Sequence, residues 1–377
     1  KVERSVLWLL ETSETVKNNL LKEAKARKID SDKIVFMKKT SHDVYLSQIK
    51  HSDIFLDTYG WWVYLDKLLQ GLRAVAEPTR LRMIVLCGHA ELSVGDFVFI
   101  LGQSQPRVSR HLKLLVDAGL LNRNKEGSRA YYRLVASGKN SPLGQMLNDL
   151  MPEEDPTLVL DLSRLGTIKS ERARYADNYL DEFAYERNEL GRVSADEELV
   201  NKYLVQCVQS EKIDELLDIG TGTGRTLGLL GPLVDKAIGL DNSREMLSVA
   251  RTNLERENLK NCQVRIGDMY RLPFPENRFE MVTINSLLRY AEKPKDVLSE
   301  AVRVLKPGSS IIIIDFADHG LSELRDEYGH RWLGFSELEM LEILGDNNIV
   351  IKTTTFFKGE SLTICIWEGL KDRGNSV

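Results

Sequence analysis

The stretch LLDIGTGTGRTLGLL, residues 216–230, constrains this chain more than any other. An apolar run ends in three glycines spaced GxGxG, and helix formers follow. That order is a strand, a tight turn and a helix, an arrangement that buries its apolar faces only inside an α/β layer. Gly220, Gly222 and Gly224 let the backbone approach a ligand closely, and the helix start adds N–H donors. Apolar runs near 236–240, 263–266, 280–285, 310–316, 350–356 and 361–367 alternate with helical patterns. They predict a doubly wound, mostly parallel sheet behind a helical lead-in at 171–208.

Acids close the first strands. Asp218 ends the strand at 215–219, and Asp241 follows it by 23 residues at the end of the next. A carboxylate there can accept from both hydroxyls of a ribose. The third strand leads into QVRIGDMYRLPF, where Asp268 can accept from an adenine amino group and the Met269 backbone can touch the ring. Met246 and Leu272 are candidate walls for the ring, and Thr221 and Asn242 join the set from the turn and from beside Asp241. Arg225 stands where a dinucleotide fingerprint needs its third glycine, which argues against NAD.

A second block has another character. The 377-residue chain carries a net charge of −5, yet Leu101 to Ala136 holds seven basic residues against two acids. Such a local patch on an acidic protein points to a polyanionic partner. WWVYLDKLLQGLRAVAEPTRLRMIVLCGHAEL predicts two helices, with Pro78 at the start of the second. SVGDFVFILG predicts a third, capped by Ser93 and stopped at Gly102. SQPRVSRHLKLLVDAG predicts a fourth, capped by Ser104 or Gln105, and LLNRNKEGSRAYYRLV predicts a hairpin around Glu126 and Gly127. This is the plan of a winged helix-turn-helix. In its reader helix Val108, Leu112 and Leu115 face the core. Ser104, Gln105, Arg107, Ser109, Arg110 and Lys113 are left for the groove, where Arg pairs with guanine and Gln with adenine. Arg129 and Arg133 on the wing are expected on phosphate or in the minor groove.

AEPTRLRMIVL, QPRVSRHLKLL and EGSRAYYRL make residues 62–137 resemble the ArsR/SmtB family of bacterial repressors. The resemblance implies an operator in double-stranded DNA and a homodimer joined through the winged helix. Members that sense metal use cysteines on the third helix, where this chain has ELSVGDF. Cys87 and His89 are too few for a tetrahedral site, so no metal is expected.

The glycine turn, the ordered acids, ENRFEMVTINSLLRYAEKP and EAVRVLKPGSSIIIID make residues 171–370 resemble class I methyltransferases that use S-adenosylmethionine. The resemblance implies that the turn holds the amino acid part of the cofactor, Asp218 its ammonium through water, Asp241 its ribose, and Asp268 with Met269 its adenine. The acceptor side is less defined. Candidates are Asn285, Ser286, Arg289 and Tyr290 after the fourth strand, with His319 and His330 beyond. NSLLRY stands where fused relatives carry HQVLHY, PGSS where a glycine pair is usual, and Arg187 where an aromatic is expected, so turnover is less secure than cofactor binding.

Residues 4–58 resemble a truncated fragment of the O-linked N-acetylglucosamine transferase family, with strands at SVLWLL, KIVFMK and SDIFLDT, and His42 at a sugar-nucleotide position. Lacking the rest of that family's site, the piece reads as a remnant.

The expected fold is a multidomain α/β chain: an α/β fragment at 1–60, a winged helix-turn-helix at 62–137, a helical linker at 138–170, and a Rossmann-like methyltransferase domain at 171–370. Four scattered cysteines without a CxxC, and no apolar run of ~18 residues, point to a reducing, cytoplasmic setting without a membrane span. The chain begins at Lys1 rather than Met, so its native start can lie upstream. The functional reading is a DNA-binding regulator fused to a methyltransferase acting on a small molecule. Its competitor is a non-catalytic sensor of S-adenosylmethionine or S-adenosylhomocysteine that controls DNA binding. No DPPY-like stretch supports DNA methylation.

Overall fold

The computed structural model describes residues 7–10, 34–37, 69–126, 128–135, 143, 146–147, 154–182, 197–209 and 212–373. Near the amino end, β1 (Leu7–Leu10) pairs in parallel with β2 (Ile34–Met37), in the register Leu7 to Ile34. The third strand expected there, His42 and Arg187 lie outside the described residues.

The winged helix begins with a helical stretch at 69–75 and continues through α1 (Pro78–His89), β3 (Leu92–Ser93), α2 (Val94–Leu101), α3 (Gln105–Asp117), β4 (Leu121–Glu126) and β5 (Arg129–Leu134). Local chemistry sets the boundaries. Pro78 opens α1, and Ser93 and Asp96 form a reciprocal capping box on α2. Gly102, at φ 63°, ends α2 in the left-handed conformation that glycine adopts without strain. Ser104 caps α3, although its side chain makes no capping bond. Val108, Leu112 and Leu115 of α3 are fully buried against Met83, Leu86, Phe97 and Ile100. The strands form a sheet in the order β3-β5-β4.

The boundary expected at 170/171 falls inside a single helix, α4 (Pro156–Glu182), started by Asp155, whose carboxylate accepts from Thr157 N and Leu158 N. Its first half belongs to the winged helix. Leu165 and Ile168 enter that core, and buried Asp161 takes a bidentate pair from Arg82 at 2.6 Å. Its second half reaches the C-terminal domain, where Asp177 pairs with Arg256. No proline follows Pro156 within this helix to break it, so the end of the linker and the start of the lead-in share one helix.

The C-terminal domain follows α5 (Glu197–Gln209). Its strands are β6 (Glu215–Ile219), β7 (Lys236–Asp241), β8 (Cys262–Ile266), β9 (Phe279–Asn285), β10 (Leu305–Phe316), β11 (Ile349–Lys358) and β12 (Thr363–Lys371). The helices between them are α6 (Arg225–Leu230), α7 (Arg244–Arg256), α8 (Pro294–Val304), α9 (Glu323–Tyr328) and α10 (Glu337–Asp346). The sheet order is β11-β12-β10-β9-β6-β7-β8, parallel except for β12, which runs antiparallel to both neighbours. Both faces are covered. Leu217 and Ile219 pack with Val297, Leu298 and Met340 on one side, and Leu216 packs with Leu204, Leu227 and Leu247 on the other. This is the doubly wound sheet that the alternation predicts. The ligand crevice of such sheets lies outside the carboxyl ends of the strands, where β6 and its neighbours diverge.

Candidate cofactor site and nucleic-acid interface

The turn after β6 is fixed to the end of β7. Gly220 N and Thr221 N both donate to Leu240 O, at 2.8 and 3.0 Å. Gly220, Gly222 and Gly224 sit at φ 74°, 53° and 81°, a region closed to most side chains. A Cβ on Gly220 would also lie 2.7 Å from Leu287. The turn therefore needs glycine for both conformation and space.

Asp241 closes the turn from β7. Its Oδ2 accepts from Gly222 N at 2.9 Å, and its Oδ1 accepts from Ser243 N at 2.8 Å. Each oxygen keeps lone-pair capacity for a further donor. Ser243 caps α7 by accepting from Met246 N, which brings the Met246 sulfur near the turn, 3.6 Å from where a Gly222 side chain would begin. Asp218 is buried at the end of β6. Its Oδ1 accepts from the Thr283 hydroxyl at 2.7 Å, and Thr221 acts on the carboxylate as a hydrogen-bonding neighbour, though neither Asp218 Oδ2 nor Thr221 Oγ1 completes a well-aligned bond. Burial, with the Asp241 charge adding, raises the Asp218 carboxyl to about 6. A buried carboxylate and hydroxyl without a well-aligned bond, beside a glycine turn, fit a ligand carrying a donor. Asp268 is exposed and turns its own loop by accepting from Tyr270 N, with Met269 half-buried beside it. Asn242 is exposed, and Leu272 is packed into the core.

The acceptor candidates divide. Tyr290, His330 and His319 gather around Phe316. Tyr290 Oη lies 3.4 Å from His330 Nε2, with the rings edge to face at 5.1 Å, and His319 packs edge-on to Phe316 at 5.8 Å. Burial, with the Arg289 charge adding, pushes His330 down to about 4 and His319 also downward, so both rings are neutral at neutral pH. His330 Nδ1 and His319 Nε2 are buried without partners. Arg289 is different. It is buried, pairs with Asp315 at 2.7 Å and lies over the Phe316 ring at 3.7 Å. Its carbonyl accepts from Arg331 N and Trp332 N, which ties the histidine loop to it. Asn285 and Ser286 bond to each other, and Asn285 donates to Thr226 Oγ1 at 3.4 Å.

On α3, Ser104, Gln105, Arg107, Ser109, Arg110 and Lys113 are all exposed. Arg129 is exposed on the wing strand. Arg133 corrects the expectation of a DNA contact. Tyr132 is buried in the winged-helix core, so the alternation of β5 turns Arg129, Tyr131 and Arg133 outward together. At the base of the wing, outward is the C-terminal domain. Arg133 donates to Cys262 O at 2.8 Å and to Lys260 O at 2.5 Å. Asn124 of β4 donates to Val264 O at 3.0 Å. β8 is the sheet edge, and the wing thus satisfies two of its open carbonyls. Arg251 of α7 lies over the Tyr131 ring at 4.0 Å and pairs with Glu91 at 3.0 Å and with Glu126.

Sequence reasoning missed Thr283, Asp315, Arg251, Glu91 and Asn124. Their roles lie in partners far along the chain, and nothing in their local pattern announces those partners. Cys87 is buried with its thiol on Tyr132 O at 3.7 Å, and His89 is exposed. Among the described residues no group of three or more His, Cys, Asp or Glu is placed to hold a metal ion, and no helix is long and apolar enough to cross a membrane.

Fold and site together define a winged helix-turn-helix joined to a doubly wound domain with a glycine turn at its strand ends. Residues 77–123 match the bacterial regulatory protein, arsR family model, and residues 217–313 match the methyltransferase domain model. The chain therefore carries an arsR-family helix-turn-helix and a methyltransferase domain. It is 34% identical over 122 residues to an uncharacterised methyltransferase of Schizosaccharomyces pombe, an overlap of 30% of this chain and 43% of that protein. It is 35% identical over 117 residues to demethylmenaquinone methyltransferase of Bacillus cereus, an overlap of 30% of this chain and 49% of that enzyme. The chain thus spans about half the length of these curated relatives. The solved structure of a geranyl diphosphate methyltransferase with SAM aligns over 46% of this chain and 85% of its own, at 15% identity and a TM-score of 0.43.

Proposed function

We propose that this chain is a DNA-binding transcriptional regulator fused to an S-adenosylmethionine-dependent methyltransferase acting on a small molecule. The observation that carries the reading is the buried Asp218 carboxylate beside Thr221, under a turn whose three glycines all hold positive φ. S-adenosylmethionine, when bound, supplies an electrophilic methyl group. Around it Asp241 holds the ribose, Asp218 reaches the ammonium through water, and Asp268 with Met269 takes the adenine. Thr221, Asn242 and Met246 complete the rim. Tyr290 is the acceptor-side group, and neutral His330 orients its hydroxyl. The methyl acceptor is a small molecule, in keeping with the name of the Bacillus cereus relative. The exposed reader face of α3, with Arg129, takes an operator in double-stranded DNA. Exposed Leu69 and Leu72 on the stretch 69–75 support a homodimer joined through the winged helix.

A second reading has its own support. The wing base is bonded to the methyltransferase sheet, which favours a sensor in which S-adenosylmethionine or S-adenosylhomocysteine shifts DNA affinity. Such a shift needs different affinities for two states. Calorimetry with S-adenosylmethionine tests the cofactor site common to both readings. The chain is expected to bind one equivalent, and Asp241→Ala at least tenfold more weakly. Equal affinity would place the ribose elsewhere and remove the cradle from the account.

A further inference from the structure

A cavity of about 380 Å³ lies where the winged helix meets the C-terminal domain. It is walled by the carboxyl end of α1, the end of β5, the last turn of α7 and the edge strand β8. Its size falls within the range of small-molecule sites, about 300–1,000 Å³. Leu134, Leu254, Leu259 and Val264 give it apolar walls. The cradle of Asp218 and Asp241 contributes nothing to its lining.

The charges on its wall are unevenly matched. Arg251 is paired with Glu91 and Glu126. Glu255 faces Arg172 at 3.5 Å. Arg133 alone among the lining arginines has no carboxylate within ion-pair reach among the described residues; its guanidinium meets two backbone carbonyls. Those carbonyls orient it in a desolvated wall, and the nearest carboxylate, Glu91, acts on it only from a distance while paired with Arg251. A bound anion would supply what the fold omits, and a guanidinium suits a planar carboxylate.

We infer that this interdomain cavity is a binding site for a small molecule with an apolar body and one carboxylate, held by Arg133, and that its occupancy is felt on DNA. Arg133 and the exposed wing residue Arg129 lie on one face of β5, four residues apart, so a ligand on one moves the strand that carries the other. The binding half is independent of methyl transfer. The DNA half rests on the reading of α3 and the wing as a DNA interface.

The test uses the full chain with 2-naphthoate and with 2-naphthylmethylamine, its cationic counterpart. Titration calorimetry should show naphthoate binding at one site and the amine at least tenfold more weakly. Arg133→Gln should erase that difference, and Leu259→Trp, which fills the cavity from a half-buried wall position, should block both. Saturating S-adenosylmethionine should not displace naphthoate. An amine that binds as well as naphthoate, an Arg133→Gln chain with unchanged naphthoate affinity, or displacement by S-adenosylmethionine would each overturn the site. On a selected DNA fragment, saturating naphthoate should change affinity at least threefold, and unchanged affinity would overturn the DNA half. If the chain binds no DNA at all, the regulator reading fails while the titrations still stand or fall by themselves.

Discussion

Arg110 and Arg133 belong to the same basic patch, yet the fold gives them opposite surroundings. Arg110 stands exposed on the reader helix. Arg133 stands at the base of the wing, bonded to the carbonyls of Lys260 and Cys262. The difference teaches that a basic run identifies residues turned away from a core, and tertiary structure decides what they are turned toward. In this chain Arg129 near the wing tip is exposed, while Glu126, Asn124 and Arg133 of the same hairpin meet the methyltransferase domain.

The contrast can be broken most forcefully at Arg251, which joins the wing hairpin to α7 through Glu126 and Tyr131. Arg251→Ala leaves Glu91 and Glu126 without their buried partner, a loss of about 3–5 kcal/mol. Calorimetric unfolding should show lower stability and two separated transitions. A single unchanged transition would mean that the wing base does not hold the domains together. Asp218 offers the next largest effect, on the cofactor side. Its folded carboxyl sits at about 6 against an ordinary 3.8, so the folded chain holds the extra proton between those values. Stability without cofactor should therefore fall as pH rises from about 4 to 7, by roughly 3 kcal/mol. Asp218→Asn should flatten that fall. A cofactor ammonium favours the ionised carboxylate, so its affinity should rise over the same window. Urea unfolding at several pH values reads the first effect and calorimetry the second.

Smaller effects sharpen the comparison itself. Arg110→Ala should weaken operator binding by ~1–3 kcal/mol if it reads a base. Gel shifts with unchanged affinity would remove it from the reader. Arg129→Ala should lower the salt slope of DNA binding by about 1, as one phosphate contact would. Arg133→Ala should leave that slope as it is. An equal drop for both arginines would mean that the wing base leaves the sheet when DNA binds.

Local signals carried most of the fold. The glycine turn, the Ser93 cap, Gly102 and the spacing of Val108, Leu112 and Leu115 each act within a few residues, so the sequence displays them directly. The strands were legible for the same reason, because a sheet buried on both faces leaves continuous apolar runs. The cradle was legible in its acids, since their positions at strand ends follow from the chain order. Arg133, Arg251 and the length of α4 were not. Alternation along β5 gives the face of Arg133 and not its neighbour. Arg251 sits in a polar stretch of α7 that reads as a solvated surface, yet it is buried under the wing. The ion pair of Arg289 was equally hidden, because its partner Asp315 lies 26 residues on, in β10.

The central claim is that the DNA reader and the cofactor domain are mechanically joined through the wing base. The most direct measurement is the affinity of the full chain for a DNA fragment selected from its source genome, alone and with saturating S-adenosylmethionine or S-adenosylhomocysteine. The account predicts that at least one ligand moves the dissociation constant about tenfold, a coupling of ~1.4 kcal/mol. Binding of both ligands with no change in DNA affinity would contradict it and leave two activities that merely share a chain.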